Sequence, residues 1–334
     1  MNFITGISGF LGSYLAKQLI DNGEQVIGIK RSHTRMDLLE NYVDKIIWYD
    51  ADILDIPSLE IAMKEATKVY HCAAKIGFEE NTRASMYKVN AEGTANIVNV
   101  ALSYKIKKMI HVSSVAALPV PKENELIDEN SEWSNNPYPS HYGKSKFMAE
   151  REAYRAMAEG IETIIVNPST IIGAGHWTEG SGNFFENVNN GFPFYTDGSV
   201  GFIDVRDVVT CMIKLMNSDI KNDKFILSTE NINFKKFFST IAISLNKKVP
   251  TMKVSKTLGY IAIVVDKLQV IFSRRERMVT KETLILGNLK TAYSNEKIKK
   301  TIVHEFIPIE KSIEETSKLF LASKVANKSY NTFS

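Results

Sequence analysis

The chain has 334 residues, 44% of them hydrophobic and 24% charged, which is the composition of an ordinary folded protein of about two domains. This composition excludes a disordered, collagen-like or repeat protein, and a net charge of only +3 gives no reason to expect a nucleic acid partner. The two cysteines, Cys72 and Cys211, exclude a disulfide scaffold and suit a reducing compartment. Met1 is followed almost at once by a strand and a glycine-rich turn, so we expect a cytoplasmic protein without a signal peptide.

Short β-branched runs alternate with longer amphipathic stretches up to about residue 170, a pattern typical of βαβ units with a parallel sheet. After residue 173 the alternation loosens, and we expect a strand at 225–227 and mostly helix beyond it. The predicted fold class is α/β, with a doubly wound parallel sheet. In chain order, the predicted strands are 2–5, 25–30, 45–49, 68–72, 108–113 and 162–166, and the predicted helices are 9–22, 57–65, 85–103 and 141–159.

Two long segments stand apart from this alternation. Residues 119–139 show no strand or helix pattern and are rich in Pro, Asn, Glu and Ser, so they form either a lid or an insertion. Residues 258–272 are apolar but too short to span a bilayer, and a basic run at 273–277 follows them. We expect this stretch to pack on its own domain or on the second subunit of a homodimer. The alternative is peripheral membrane association through 258–277.

Three glycines, Gly6, Gly9 and Gly12, lie between the first predicted strand and the first predicted helix. Glycine there permits a tight turn and lets a pyrophosphate approach the backbone at the positive end of the helix. Strand, glycines, helix and second strand occur in the required order, so the segment predicts dinucleotide binding by a Rossmann-type domain. The turn residues expected to contact the cofactor are Gly6, Ser8, Gly9, Phe10, Leu11 and Gly12.

The end of the second predicted strand carries Lys30 and Arg31, with Arg35 close by. An acidic residue at this place accepts hydrogen bonds from the ribose 2′-hydroxyl of NAD, whereas cations bind the 2′-phosphate of NADP. The sequence therefore favours NADP(H) over NAD(H). The alternative is that these cations are solvated turn residues.

Tyr142 and Lys146 are four residues apart on a predicted helix and share one face, about 30 residues after Ser113 and Ser114 at a strand end. A tyrosine with the ordinary pKa near 10 exchanges protons poorly at neutral pH, and a neighbouring ammonium favours its phenolate. The tyrosine can then exchange a proton with a carbonyl or hydroxyl oxygen while a serine hydroxyl holds that oxygen. The predicted catalytic residues are Tyr142, Lys146 and one serine of the pair.

With these motifs the chain resembles the extended short-chain dehydrogenases/reductases of the NAD-dependent epimerase/dehydratase superfamily. The resemblance covers residues 1 to about 230. The segments that carry it are TGISGFLG at 5–12, Asp52 with Ile53, HCAA at 71–74, Asn90 with GTAN at 93–96, VSS at 112–114, Tyr142 with Lys146, NPS at 167–169, and FIDVRDV at 202–208.

The resemblance implies roles for individual residues. Ser114, the second serine of the pair, matches the family's active-site serine, and Asn90 is either a structural residue that kinks its helix or part of a proton relay. The implied cofactor contacts are Asp52 and Ile53 at the adenine, Ala73, Ala74 and Lys75 along the ribose and pyrophosphate, Val112 at the nicotinamide, Pro168 and Ile171 at its carboxamide, and Tyr142 and Lys146 beside it.

Two features favour a reductase similar to dihydroflavonol reductase or 3β-hydroxysteroid dehydrogenase. Lys30 and Arg31 suit an exchangeable phosphorylated cofactor. Similar sugar-nucleotide enzymes carry an arginine at the position of Val200, where it grips a pyrophosphate, and this chain lacks that anchor. We therefore expect an NADP(H)-dependent ketone or aldehyde reductase, or an alcohol dehydrogenase. The alternatives are an NAD-dependent sugar-nucleotide epimerase or dehydratase and a non-catalytic NADP-binding scaffold.

The expected substrate is a small molecule with a carbonyl or hydroxyl group, and the aromatic residues after 173 suit an apolar or ring-bearing one. We expect no metal site. The cofactor domain would comprise 1–173 and 203–228, and a smaller, mostly helical C-terminal substrate region would comprise 174–202 and 229–334. The candidate substrate contacts are His141, His176, Trp177 and Phe202, although core packing is the better interpretation for any one aromatic taken singly.

Overall fold

A computed structural model describes residues 1–77, 80–120, 125–131, 140–254, 259 and 281–333. Its strands are β1 (Asn2–Thr5), β2 (Val26–Lys30), β3 (Ile47–Asp50), β4 (Lys68–His71), β5 (Lys108–Val112), β6 (Leu126–Ile127), β7 (Glu162–Pro168), β8 (Thr170–Ile172), β9 (Phe194–Tyr195), β10 (Ser199–Asp204), β11 (Asp223–Leu227), β12 (Glu230–Asn233), β13 (Met252–Lys253) and β14 (Ala292–Tyr293). Its helices are α1 (Phe10–Asp21), α2 (Ile56–Met63), α3 (Arg83–Tyr87), α4 (Gly93–Ser103), α5 (His141–Ala158), α6 (Gly182–Asn189), α7 (Val205–Met216), α8 (Phe234–Ser244), α9 (Lys281–Asn288), α10 (Glu296–Thr301) and α11 (Ile309–Val325).

Seven strands form one parallel sheet in the order β11-β7-β5-β4-β1-β2-β3. The direction in which the chain adds strands reverses between β1 and β4, and in such sheets ligands bind beyond the carboxyl ends of the strands at that point. The Rossmann-type α/β fold predicted from the sequence is confirmed. The six strands predicted before residue 170 correspond to β1 to β5 and β7, and the one predicted at 225–227 lies within β11.

The central strands of the sheet are buried on both faces, which explains why they are apolar runs rather than alternating ones, whereas the edge strand β3 is partly exposed. All four residues of β1 are buried, and its successive side chains enter two different cores. Phe3 packs with Ile27 in the cluster that includes α2 and α4, whereas Ile4 packs with Leu15 in the cluster that includes α1 and α7. Helices on both faces therefore hold the carboxyl edge of the sheet rigid.

The predicted helix at 85–103 differs from the observed one. The observed helical segment begins at Arg83, and a π-helical turn at Lys88–Glu92 divides it into α3 and α4. Asn90 lies in this turn and is buried, and its side-chain bonds supply the reason for the distortion, as described below. Similarly, β3 begins at Ile47 rather than at 45, because a 3₁₀ segment at Asp37–Lys45 leads into it.

Part of the segment at 119–139 forms a strand that its local pattern did not predict. Leu126 pairs with Ala292 and Ile127 with Tyr293, so β6 and β14 make a short parallel ladder. Ile127 and Tyr293 also pack against Val115, which directly follows Ser114. Residues 121–124 and 132–139 lie outside the described part of the chain, and so does the apolar and basic stretch at 258–277 apart from Gly259.

A second core lies in the region after residue 173, and it corrects two of the predicted substrate contacts. The strands β8, β10 and β12 form a small sheet against which α6, α8 and α11 pack. Trp177 is 1% exposed and its ring lies 5.1 Å from that of Phe320, and Phe202 is fully buried and stacked on Phe237 at 4.2 Å. Both side chains are core residues, because neither offers surface to a substrate.

Within the described ranges, no helix combines the length and apolar character needed to cross a membrane. The division into a cofactor domain at 1–173 and 203–228 and a substrate region at 174–202 and 229–334 stays a prediction.

The core position of Phe202 makes a prediction about stability. Phe202→Ala should lower the free energy of unfolding by about 3–5 kcal/mol, because it leaves a cavity against Phe237. Urea unfolding followed by tryptophan fluorescence measures the loss, with Phe192→Ala as the control, since Phe192 is 36% exposed. Equal losses for the two variants would contradict the core assignment.

Candidate active site

The glycine turn between β1 and α1 leaves no room for side chains at two of its positions. Gly6 has a φ of +67°, and a Cβ there would lie 2.8 Å from the Cα of Ala73. A Cβ on Gly12 would lie 2.1 Å from the carbonyl oxygen of Gly6. Gly9 precedes α1 and supplies no side-chain cap, so no side chain of its own competes for the first N–H groups of the helix. The turn therefore fits a dinucleotide pyrophosphate.

A second segment of the expected cofactor path, 73–75, is fixed by the side chains of Thr5 and Asn90. The N–H of Ala73 donates to Thr5 Oγ1 at 3.1 Å. Asn90 accepts from the N–H of Lys75 at 2.7 Å and donates to the Lys75 carbonyl and to Ser145 Oγ, both at 2.9 Å. Asn90 thus has a structural role, since it ties this segment to α5.

The cations at the end of β2 each lie near a carboxylate. Lys30 Nζ is 3.7 Å from Asp50, and the Arg31 guanidinium is 3.8 Å from Asp52. The Arg35 side chain donates to Glu179 at 2.6 Å. These pairs are exposed and are worth about 0–1 kcal/mol each, so a phosphate can displace the carboxylates. Each predicted cation thus has its own carboxylate partner, and the geometry does not select between the two cofactors.

The remaining expected cofactor residues lie on elements at the carboxyl edge of the sheet. Asp52 accepts from the N–H of Leu54 at 2.9 Å, and Ile53 is 8% exposed where it packs over Gly93 of α4. Pro168 is the last residue of β7, and Ile171 lies in β8.

The start of α5 approaches the turn after β5 closely. Ser140 caps the helix by accepting from the N–H of Gly143 at 3.0 Å. A Cβ on Gly143 would lie 2.3 Å from the carbonyl oxygen of Ala116, so glycine permits this approach. The turn that begins at Ser114 therefore packs directly against the residue that follows Tyr142. Sequence reasoning missed the role of Gly143, although its place directly after Tyr142 was a usable signal.

Lys146 lies one turn beyond Tyr142 and is 2% exposed. Its ammonium donates to the carbonyl of Val112 at 2.6 Å, which ties α5 to the end of β5. Burial lowers the pKa of Lys146 to about 8. Its charge therefore changes near physiological pH.

The pKa of Tyr142 corrects one sequence expectation. We expected the neighbouring ammonium to favour the phenolate, but burial dominates and raises the pKa of Tyr142 to about 12, against a smaller lowering by the hydrogen bond to Ser114. Tyr142 is therefore a neutral phenol at pH 7 in the protein alone. That is the form that donates a proton.

The two serines of the pair face different surroundings. Ser113 is buried and donates to Glu150 Oε1 at 2.6 Å, whereas Ser114 is half-buried. The choice of Ser114 over Ser113 stays a prediction. The sequence analysis did not single out Glu150, although its position four residues after Lys146 places it on the same helix face.

The two histidines proposed for substrate contact lie in different places. His141 is next to Tyr142, with its Nδ1 at 3.2 Å from the Tyr87 hydroxyl and its Nε2 at 3.8 Å from Glu282 of α9. His176 pairs with Asp37 at 3.2 Å and packs against Tyr330. Of the four candidate substrate contacts, His141 is the one that lies next to Tyr142.

Comparisons with known proteins identify the family of the chain. The model of the NAD dependent epimerase/dehydratase family matches residues 2–227. The chain belongs to this family. It is an enzyme of the NAD(P)-dependent oxidoreductase and epimerase superfamily. A Synechocystis relative that carries the name dihydroflavonol 4-reductase is 31% identical over 241 residues, which are 70% of this chain and 69% of the relative.

Solved structures share the fold. The crystal structure of the protein gox2253 superposes with a TM-score of 0.83 at 26% identity and covers 96% of this chain and 98% of that one. The Thermus thermophilus UDP-glucose 4-epimerase, in complex with NAD, has a TM-score of 0.76 at 18% identity over 96% and 99% of the two chains.

The buried ammonium of Lys146 makes a prediction about stability. Lys146→Met loses the hydrogen bond to Val112 at every pH, but at pH 7 it should gain about 1–3 kcal/mol in free energy of unfolding relative to its effect at high pH, because its folded state no longer desolvates an ammonium. The folded pKa of about 8 lies below the unfolded value of 10.5, so this gain is complete below pH 8 and fades as the pH rises towards 10.5. Urea unfolding at pH 7 and 9.5 measures the gain. A gain that is equal at both pH values would show that the lysine does not titrate in this range.

Proposed function

We propose that the protein is an NADP(H)-dependent reductase that converts a carbonyl group of a small molecule to a hydroxyl, and that also runs in the reverse direction. The observation that carries this proposal is the close approach of α5 to the turn after β5, which brings Tyr142 and the buried Lys146 to the strand end where Ser114 lies. The Synechocystis relative supports the reductase assignment through its name.

The residues of this chain would hold the cofactor along the carboxyl edge of the sheet, and the cofactor would supply the hydride. The glycine turn would receive the pyrophosphate at the start of α1. Lys30 and Arg31 would contact a 2′-phosphate, and Val112 would lie beside the nicotinamide. The other residues of the proposed site are Ser8, Phe10, Leu11, Asp52, Ile53, Ala73, Ala74, Lys75, Pro168 and Ile171.

Three side chains would handle the carbonyl oxygen. Tyr142, neutral at pH 7, would donate its phenolic proton to that oxygen as negative charge develops on it. Ser114 would donate a second hydrogen bond to the same oxygen and hold it in place. Lys146 would stabilise the resulting phenolate with its ammonium, which the Val112 carbonyl keeps in position. The pKa of about 12 favours reduction, because Tyr142 begins in the acid form.

The position of Val200 speaks against the sugar-nucleotide alternative. Val200, at the position of the expected pyrophosphate anchor, lies in β10 opposite Ile232 and packs against apolar residues. The likeness to the Thermus epimerase concerns the fold.

The proposed catalytic role of Tyr142 predicts a specific loss of activity. Tyr142→Phe should lower kcat for NADPH oxidation by about 10²- to 10⁴-fold, because no other donor delivers the proton. A panel of ketones and aldehydes assayed with NADPH identifies the substrate first, and Tyr154→Phe on the exposed face of α5 is the matched control. NADPH binding should persist in both variants. Retained turnover in Tyr142→Phe, or co-purified NAD with conversion of a UDP- or dTDP-sugar, would overturn the proposal.

The proposed phosphate contact predicts a change in cofactor preference. Arg31→Ala should weaken NADPH binding by about tenfold and leave NADH binding within about twofold, because only NADPH carries the 2′-phosphate. Titration of cofactor fluorescence measures both dissociation constants. Lys64→Ala, at an exposed cation that directly follows α2, controls for the change in net charge. An unchanged NADPH constant in Arg31→Ala would contradict the NADP(H) assignment.

A further inference from the structure

A buried carboxylate, Glu150, lies beneath the candidate active site. On α5, Glu150 lies two turns after Tyr142 and one turn after Lys146. Its side chain is 2% exposed. A buried carboxylate is costly unless its oxygens are hydrogen-bonded and an opposite charge is near. The contacts of Glu150 therefore indicate what it does.

Both strands that flank the site are bonded to this carboxylate. Glu150 Oε1 accepts from Ser113 Oγ at 2.6 Å, at the end of β5, and from Asn167 Nδ2 at 2.5 Å, in β7. The same Asn167 amide donates to the carbonyl of Ser114 at 2.9 Å. Glu150 Oε1 thus holds the backbone of Ser114 in place through two residues. Ser113 is its neighbour in sequence, and Asn167 lies in the adjacent strand.

We propose that Glu150 is a positioning residue that holds Ser114 through Ser113 and Asn167 and provides the counter-charge that keeps Lys146 protonated. The inference concerns the chemistry of the site, so it rests on the proposed function. Its electrostatic part is testable without a substrate.

The charges around Lys146 explain why this counter-charge matters. Burial lowers the pKa of Lys146, and Glu150 is the main group that raises it again. Burial in turn raises the pKa of Glu150, and Lys224 of β11 and Lys146 oppose that rise. Three other titratable groups in the described part of the chain act on Lys146. They are His71 in β4, Cys72 directly after β4, and His111 in β5.

The first test measures the titration of Lys146 through stability. The difference in the free energy of unfolding between a Lys146 protein and its Lys146→Met counterpart, followed from pH 6 to 10, reports the folded pKa of the lysine. Glu150→Gln keeps a carbonyl oxygen for Ser113 and Asn167 but removes the charge. In that background, the onset of the pH dependence should move to lower pH by about one unit. An onset at the wild-type pH would overturn the counter-charge role.

The second test measures the pH profile of turnover with NADPH and the carbonyl compound found in the panel. The alkaline limb should move to lower pH by about one unit in Glu150→Gln, with kcat near the wild-type value at pH 6 and about tenfold lower above the limb. KM for NADPH should not change. Glu152→Gln, half-buried on the same helix and paired with Arg155, is the control and should keep the wild-type profile.

Ser113→Ala tests the positioning part by itself, and it serves if Glu150→Gln does not fold. It removes the 2.6 Å hydrogen bond and keeps the charge, so kcat should fall several-fold while the alkaline limb stays in place. A wild-type kcat in Ser113→Ala would contradict the positioning role. Retained activity in Tyr142→Phe would instead refute the proposed function and leave the stability titration to decide the counter-charge.

Discussion

The hydrogen bond from the Lys146 ammonium to the Val112 carbonyl joins the two parts on which the site depends. One is the carboxyl edge of a parallel sheet buried on both faces, and the other is the first turns of α5. The bond keeps a cation where water is scarce, and such a charge acts on its neighbours more strongly than it would at the surface. The same desolvation keeps Tyr142 protonated and leaves the lysine sensitive to the negative charge of Glu150.

Features encoded by neighbouring residues could be predicted from the sequence. The strand, the glycine turn and α1 follow one another directly, and Gly6 and Gly12 lie where a side chain would clash with the backbone. Tyr142 and Lys146 share a face because four residues make about one helical turn. Ser113 donates to the buried Glu150, and Ser114 stays the predicted catalytic serine.

Features that depend on distant partners could not be predicted in this way. Trp177 and Phe202 read as aromatic pocket residues, and only their packing against Phe320 and Phe237 shows that they are core. The π-helical turn around Asn90 follows from bonds to Lys75 and to α5. Propensity and periodicity describe neither kind of contact, because the partners are far apart in the chain.

The ladder between β6 and β14 has a consequence for how the enzyme is made. The turn after Ser114 packs against Ile127 and Tyr293, and Ile127 is held by pairing with that late strand. During synthesis the seven-stranded sheet is complete once Leu227 has emerged, because β11 is its last strand. The contacts around Ser114 can form only after residues 292–293 have been synthesised. A nascent chain can therefore have a finished sheet and an unfinished active site.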